Sequence, residues 1–332
     1  MAKNHPLKDH DGPVHFMDAV EGLLSLPPGS ADVIIADPPY NIGKDFGTNQ
    51  DSMPMQEYLD WSARWIQAAM QALSPRGTLY VYGFSEILAR ILVAADPAHC
   101  RWLVWHYTNK NAANAKAWQR SHESILAISH TDRPIFNVDL VREPYTETFL
   151  KNAAGRKRAG TAGRFSRHGA ETTYNAHAGG ALPRDVLRHP ALAGGAGANE
   201  RVAWCRTCDT LLIGKQRREH RGHDLIEHPT QKPIALTRRL IAAAKPMDGE
   251  PESQASRSAK TDGTPQHDHG KHARIVIPFS GSGAESVAAI LEGCQPIAFD
   301  LNPEYVRMGN AWVNSVMGKT AYNQILNPRS EP

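Results

Sequence analysis

The feature that most constrains the fold of this chain is a short apolar segment that stops at two prolines. The segment Ala31-Asp-Val-Ile-Ile-Ala36 is followed directly by Asp37-Pro38-Pro39. Because proline neither donates a ladder hydrogen bond nor continues a helix, this segment is predicted to be a buried strand that ends at a turn. Apolar residues at helical spacing follow over 54–73, and Pro75-Arg76-Gly77 is predicted to close that helix.

Strand and helix patterns continue to alternate along the chain. The further predicted strands are 79–82, 102–105, 124–128, 275–277 and 296–299, and the further predicted helices are 87–94, 232–244 and 284–291. Strands that alternate with helices predict an α/β fold with a doubly wound, mostly parallel sheet.

Charge is unevenly distributed along the 332 residues. Lys and Arg number 37 against 34 Asp and Glu, a net charge of +3, yet residues 151–225 alone hold 14 Lys and Arg against 6 Asp and Glu. This segment is also rich in Gly and Ala and has almost no aliphatic periodicity, which is typical of a loop-rich unit with an anion-binding face. The polar stretch 247–273 is predicted to be a disordered surface insert.

The cysteines and the N-terminus bear on the cellular compartment. Of the four cysteines only Cys205 and Cys208 are close in sequence, a pattern unlike a secreted disulfide framework. No apolar stretch follows the N-terminal lysines, and no run approaches the roughly 18 apolar residues of a membrane span. We therefore expect a soluble, cytoplasmic protein without a membrane partner.

The motif Asp37-Pro38-Pro39-Tyr40 is placed at the carboxyl end of a strand, where open α/β sheets bind ligands. A carboxylate at Asp37 and the carbonyl of Pro38 can accept both N–H bonds of an exocyclic base amine and direct its lone pair at an electrophile. Tyr40 offers an aromatic face for an extruded base. Taken alone, the tetrapeptide equally fits an ordinary strand-to-loop turn with an exposed Asp and a packed Tyr.

A glycine-rich turn, Pro278-Phe-Ser-Gly-Ser-Gly283, lies between a predicted strand and a predicted helix. Glycines there let the backbone approach a ligand, and Asp300 at the end of the next strand can hold ribose hydroxyls. A phosphate-binding NTPase loop requires Gly-Lys-Ser/Thr, whereas Ala284-Glu285 follows here. On this motif alone a dinucleotide-binding fold remains open.

A third motif, His228-Pro-Thr-Gln-Lys-Pro233, begins the predicted helix 232–244 and by itself fits a polar loop before a helix. Together the three motifs resemble the S-adenosylmethionine-dependent DNA amino-methyltransferases of restriction–modification systems. Their order, with DPPY first, then a basic region, then HPTQKP and FSGSG, resembles the β class of that family. The resemblance covers nearly the whole chain and implies a circularly permuted, Rossmann-like methyltransferase fold with an inserted basic target-recognition unit. The implied regions are a catalytic half at 1–149, a target-recognition region at 150–225 and a cofactor-binding half at 226–325.

The resemblance also implies individual roles. The residues implied at the target amine and its base are Asp37, Pro38, Pro39 and Tyr40. Those implied at S-adenosylmethionine are Phe279, Gly281 and Gly283 around the cofactor, Asp300 at its ribose, and Thr230 and Lys232 near its carboxylate. The family usually has Asp directly before Pro-Phe, where this chain has Ile277. The resemblance implies that this departure weakens one cofactor hydrogen bond, and Glu285 is a candidate to compensate. The segment 120–125 also resembles the beginning of a family strand.

A separate pattern, Cys205-x2-Cys208-x11-His220-x2-His223, resembles the ligand spacing of structural zinc sites, although the two histidines are one residue closer than usual. A bound zinc ion would order a region with little core of its own. His228 is a candidate replacement ligand, and two reduced cysteines beside solvated histidines are the alternative. His267, His269 and His272 are expected to be exposed to solvent and to have no function as ligands.

Double-stranded DNA is the implied partner, with a cognate restriction endonuclease that acts on the same site without a stable complex. The basic residues predicted to contact phosphates are Arg156, Lys157, Arg158, Arg164, Arg167, Arg217 and Arg218.

Two target amines fit the motifs. The leading Asp37 favours adenine N6, whereas the GKDFG and YGFSE segments and the cysteine–histidine pattern resemble a subgroup that includes cytosine-N4 enzymes. We predict cytosine N4 as the target amine by a narrow margin, with adenine N6 as the alternative. An RNA methyltransferase and a DNA-binding relative without catalysis are further alternatives. No Pro-Cys nucleophile is present, which argues against methylation at cytosine carbon 5.

Overall fold

The computed structural model describes residues 12–47, 51–109, 116–152, 155–158, 172–173, 175–193, 195, 199–247 and 272–326. The strands are β1 (Val14–Phe16), β2 (Ala31–Ala36), β3 (Leu73–Gly83), β4 (His99–His106), β5 (His122–Ser129), β6 (Lys157–Arg158), β7 (Thr172–Thr173), β8 (Val186–Arg188), β9 (Val202–Cys205), β10 (Thr210–Ile213), β11 (Leu225–Glu227), β12 (Arg274–Ile277) and β13 (Gln295–Asp300). The α-helices are α1 (Ala19–Ser25), α2 (Met55–Ala72), α3 (Ser85–Ala95), α4 (Glu147–Asn152), α5 (Ile234–Ala244), α6 (Ala284–Leu291) and α7 (Pro303–Leu326).

The main sheet of the described chain has eight strands in the order β1-β13-β12-β2-β3-β5-β4-β8. β5 runs antiparallel to both of its neighbours, and the other neighbouring pairs of this sheet are parallel. The predicted fold class, an α/β protein with a mostly parallel sheet, is therefore confirmed.

Helices cover both faces of this sheet because its central strands are apolar on both sides. On β2, Val33 and Ile35 belong to one buried cluster, which includes residues of α5 and α6. Ile34, between them, belongs to the opposite cluster with residues of α1, α2 and α3. All three side chains are fully buried. The sequence over these three residues is therefore continuously apolar and does not alternate between apolar and polar residues.

One local prediction was wrong. The predicted closing turn Pro75-Arg76-Gly77 lies inside β3, which begins directly after α2. Ala31 pairs with Leu73, whereas Val33 pairs with Thr78, so β3 bulges between these pairs. A proline is tolerated at a bulge because no ladder donor is required of it there.

Contact clustering divides the chain into two compact units. The first consists of Met1–Phe136 and Asp185–Pro332 and includes a second, antiparallel sheet in the order β10-β9-β11. Trp204 of β9 is buried in one cluster with Met308 and Trp312 of α7. The smaller sheet is thereby fixed to the main fold through apolar packing.

The second unit is Asn137–Arg184. It contains the antiparallel pair β6–β7 and a bridge between Glu143 and Ala181. The Arg142 guanidinium donates a 3.0 Å hydrogen bond to the carbonyl of Gly180. The predicted target-recognition region at 150–225 therefore contributes to both units, and its role stays a prediction.

Some predicted features lie outside the described residues. These are Arg164, Arg167, His267 and His269, together with nearly all of the predicted insert at 247–273. Within the described ranges, no helix is both long enough and apolar enough to cross a membrane.

Two adjacent leucines of α1 test the packing. Leu23 is 1% exposed in the core, whereas Leu24 is 57% exposed. We expect Leu23→Ala to lower the free energy of unfolding by about 2–5 kcal/mol, because it leaves a cavity. The matched variant Leu24→Ala is expected to change it by less than about 0.5 kcal/mol. Urea unfolding followed by circular dichroism measures both, and equal effects would contradict the described orientation of α1.

Candidate active site

A cavity lies at the carboxyl ends of three neighbouring strands. Asp37-Pro38-Pro39-Tyr40 follows β2, the glycine-rich turn 278–283 follows β12, and Asp300 ends β13. The cavity has a volume of about 390 Å³, within the usual range for small-molecule sites. The sequence-predicted residues that line it are Asp37, Pro38, Pro39, Tyr40, Thr230, Lys232, Phe279, Gly281 and Asp300. Two motifs more than 200 positions apart in the chain therefore share one cavity.

The turn after β12 is held by the carboxylate of Asp300. The Gly281 N–H donates a 2.7 Å bond to Asp300 Oδ2, and the Asn302 N–H donates a 2.8 Å bond to Oδ1. Gly281 has φ +49, and a Cβ there would approach His228 Nε2 to 2.7 Å, so a side chain is excluded on both grounds. Burial raises the pKa of Asp300 to about 6.

Asp37 is held by two side chains. The Lys232 ammonium donates to its Oδ2 at 2.7 Å, and the Tyr40 hydroxyl donates to its Oδ1 at 3.0 Å. The ion pair is almost fully enclosed, with the Lys232 side chain 3% and the Asp37 side chain 9% exposed. A carboxylate offers about four acceptor positions, so these two donors leave Asp37 able to accept more bonds from a ligand.

Lys232 faces more than one carboxylate. Its ammonium lies 3.9 Å from Glu123 Oε2 and over the rings of Tyr40 and Tyr82, at 5.2 and 5.5 Å from their centroids. Burial works to lower the pKa of Lys232, but the carboxylates outweigh it and raise that pKa, so the ammonium stays charged. Burial raises the pKa of Asp37, and Lys232 opposes the rise.

Comparison with known proteins identifies the family. The sequence profile of the N6/N4 methyltransferases, described as DNA methylase, matches residues 31–311. This chain belongs to that family. It is an S-adenosylmethionine-dependent DNA amino-methyltransferase, as the motifs predict.

The methylase has curated relatives over most of its length. The type II methyltransferase M.HpaI of Haemophilus parainfluenzae is 24% identical over 90% of this chain and 73% of its own. The DNA adenine methyltransferase YhdJ of Escherichia coli is 25% identical over 88% and 79%, and the type II methyltransferase M1.MboII of Moraxella bovis is 27% identical over 91% and 96%.

One solved structure shares the fold of the methylase. The PvuII DNA methyltransferase, described as cytosine-N4-specific, aligns over 95% of this chain and 92% of its own with a TM-score of 0.56. Its sequence identity is 15%, so the likeness is one of fold.

Glu285 of the methylase is a buried acid at the first turn of α6. It lines the cavity and is 3% exposed. Burial, reinforced by the charge of Asp37, raises the pKa of Glu285 to about 8. At neutral pH this side chain is therefore mostly protonated and can donate as well as accept a hydrogen bond.

His228 lies in the cavity wall. Its ring stacks on Phe46 at 5.6 Å and meets Tyr305 edge-on at 5.0 Å. Burial lowers the pKa of His228 to about 3, so the imidazole is neutral. His228 lines the cavity and is not among the four residues whose ligand atoms converge, so its role as a replacement zinc ligand stays a prediction.

Two predicted cofactor residues have a structural role in the described fold. Gly283 has φ +85, and a Cβ there would lie 2.6 Å from the Cα of Gly309, so it permits close packing of α6 on α7. Phe279 packs edge-on against Trp65 at 5.4 Å and also lines the cavity. Their contacts with a cofactor stay predictions.

Three residues stabilise the turn Asp37–Tyr40, and the sequence contains little indication of this role. Asp51 accepts hydrogen bonds from the backbone of Asn41 and, at 3.1 Å, of Ile42, and Tyr58 donates a 2.8 Å bond to the carbonyl of Pro39. Glu123 accepts from Tyr40 at 3.2 Å. Only Glu123 had a signal, since it falls in the family-like segment 120–125.

The other sequence-predicted residues that the structure describes belong to the cysteine–histidine pattern and to the basic set. The ligand atoms of Cys205, Cys208, His220 and His223 all lie within 4.8 Å of one another. Of the predicted DNA contacts, Arg156 and Lys157 are exposed in the second unit and Arg158 ends β6. Arg218 is exposed, whereas Arg217 forms an ion pair with Glu227.

The raised pKa of Glu285 predicts a pH-dependent stability. Its folded pKa of about 8 lies above the ordinary 4.5, so the folded state binds the proton more tightly. The tighter binding of this proton in the folded state adds to the free energy of unfolding in full below about pH 4.5. The added stability is lost as the pH rises to about 8, at roughly 1.4 kcal/mol per pH unit. We expect Glu285→Gln, a neutral isostere, to gain stability relative to wild type as the pH rises through this window.

Urea unfolding at several pH values measures this difference. Glu57→Gln, at an exposed acid in the first turn of α2, is the matched control and is expected to show a constant offset. A constant offset for Glu285→Gln would show that Glu285 is ionised in the folded protein.

Proposed function

We propose that this methylase transfers a methyl group to the N4 amine of a cytosine that is flipped out of duplex DNA. The observation that carries the proposal is the single cavity shared by the Asp37-Pro38 acceptors and the Gly281–Asp300 turn. An amine held at the first and a cofactor held at the second can meet without a covalent enzyme intermediate. The cysteine–histidine cluster has no step in this reaction.

The residues of the turn fit S-adenosylmethionine. Gly281 presents backbone without a side chain, and Asp300, with a pKa of about 6, is mostly ionised at neutral pH and can accept bonds from ribose hydroxyls. Ile277, in place of the usual Asp, is fully buried in the core. The nearby Glu285 is the candidate to supply the missing polar contact. When bound, the cofactor supplies an electrophilic methyl group on a sulfonium.

Asp37 and Pro38 would orient the target amine. The carboxylate and the carbonyl accept its two N–H bonds, so its lone pair is directed at the methyl carbon. The amine nitrogen forms the new N–C bond as the C–S bond breaks, and it then loses one proton. Asp37, which accepts one N–H bond of the amine, is the proposed acceptor for that proton, and burial favours this role because it raises the pKa of Asp37. Tyr40, which lines the cavity, supplies aromatic surface for the flipped base.

The target base has two candidates. Segments beyond DPPY support cytosine N4, which we propose first. Adenine N6 is the second candidate, because Asp37 leads the motif and because one relative, YhdJ, is described as a DNA adenine methyltransferase. The first candidate rests on sequence pattern, since the likeness to the cytosine-N4-specific PvuII enzyme is one of fold.

Duplex DNA is the proposed partner, contacted through the basic target-recognition region at 150–225. Exposed Arg156, Lys157 and Arg218 are proposed phosphate contacts. The relatives M.HpaI and M1.MboII are named type II methyltransferases, which supports a cognate endonuclease for the same site. A DNA substrate also supports the cytoplasmic location predicted from the sequence.

Removal of the Asp37 carboxylate tests the amine site. We expect Asp37→Ala to lower the rate of methyl transfer by about 10²–10³-fold or more, because the amine loses its charged partner. Binding of S-adenosylmethionine, measured by calorimetry, is expected to persist. Asp132→Ala, at an exposed acid, is the control and should retain full activity. Retained transfer in Asp37→Ala would refute the assignment.

The modified nucleoside identifies the base. DNA from a host that expresses the enzyme is digested and analysed by mass spectrometry, with a host that carries Asp37→Ala as the blank. We expect N4-methylcytosine. N6-methyladenine would establish the second candidate, and no methylated DNA, with label transferred to RNA instead, would overturn the DNA proposal.

A further inference from the structure

We propose that Cys205, Cys208, His220 and His223 bind one zinc ion that staples the β10-β9-β11 sheet. Two thiolates and two imidazoles are a ligand set that zinc takes in structural sites. In the described chain these four ligand atoms lie mutually within 4.8 Å. The site is separate from the reaction cavity, so this proposal does not depend on the proposed methyl transfer.

Four of the six distances between the ligand atoms match the edges of a zinc tetrahedron. Zinc bonds of about 2.3 Å to sulfur and about 2.0–2.1 Å to nitrogen place two nitrogens about 3.4 Å apart and a sulfur and a nitrogen about 3.6 Å apart. His220 Nδ1 and His223 Nδ1 lie 3.2 Å apart. Cys205 Sγ lies 3.5 Å from His223 Nδ1, and Cys208 Sγ lies 3.6 Å from His220 Nδ1 and 3.3 Å from His223 Nδ1.

Hydrogen bonding alone does not explain this convergence. Two neutral imidazoles that face each other through Nδ1 share one proton at most, and thiols are weak donors and acceptors. His223 Nδ1 faces both sulfurs and His220 Nδ1 faces Cys208 Sγ, and this convergence of four ligand atoms is what a bound cation requires. The short His-x2-His spacing is accommodated by a turn, in which the His223 N–H donates a 3.1 Å bond to the carbonyl of His220.

The positions of the ligands give the ion a structural role. Cys205 is buried at the end of β9, Cys208 lies in the turn to β10, and the two histidines lie in the loop before β11. The loop 214–224 contributes only Gly214 to the buried residues of the described chain. Because this loop has almost no buried side chains to hold it, a bound metal ion would fix it to β9. β11 leads directly into His228 and Lys232, so the same staple orders the segment beside the cavity.

Metal content of the full-length protein is the direct test. We expect inductively coupled plasma mass spectrometry to find one zinc ion per chain in protein purified without chelator. Cys208→Ser, at an exposed position that does not disturb the core, is expected to lose it. Cys100→Ser, at another exposed cysteine, is the matched control and should retain it. Zinc retained by Cys208→Ser at the wild-type level would overturn the ligand assignment.

Cobalt gives a readout that does not depend on the variants. Co²⁺ added to the reduced, metal-free wild-type chain is expected to produce the visible bands of a tetrahedral thiolate site, and zinc should displace it one for one. Removal of zinc is expected to lower the melting temperature, which zinc alone restores. No bound zinc together with no cobalt bands would overturn the proposal, and so would a Cys205–Cys208 disulfide in freshly purified protein.

Discussion

The buried ion pair between Asp37 and Lys232 is the interaction on which the site depends. Withdrawal of two charges from water costs several kcal/mol per ion unless the pair is well satisfied. Here the ammonium bonds to Asp37 at 2.7 Å and to the Thr230 carbonyl at 3.3 Å, with Glu123 close by. The pair also joins positions 195 residues apart in the chain. It therefore sets the turn Asp37–Tyr40 after β2 against the segment before α5.

The charge balance around this pair explains the state of its neighbours. Asp37, Glu123 and Glu285 surround a single buried ammonium, and one cation does not compensate three carboxylates. Burial and the charge of Asp37 both disfavour the anionic form of Glu285 and raise its pKa to about 8, so Glu285 is mostly protonated at neutral pH. A neutral Glu285 in the cavity lining does not compete with Asp37 for the charge of Lys232.

Sequence reasoning succeeded where chemistry follows short local patterns. The strand Ala31–Ala36 ends at Asp37 as its apolar run and prolines predict, and DPPY and the glycine turn meet because the carboxyl ends of neighbouring parallel strands share one edge. It failed at Pro75-Arg76-Gly77, since a bulge depends on the partner strand and not on the segment itself. It also missed the support from Asp51 and Tyr58, because neither distance nor direction between loop residues is encoded in local spacing. The role given to Lys232 did not foresee its pairing with Asp37, for the same reason.

The contact between Gly281 and His228 constrains how this site can evolve. The imidazole occupies the space that any side chain at 281 would need, and it is in turn fixed between Phe46 and Tyr305. A larger residue in the cofactor turn is therefore acceptable only if the histidine shrinks at the same time and the turn changes its backbone conformation. The glycine turn and the segment that begins at His228, far apart in the chain, are thus coupled through this one contact.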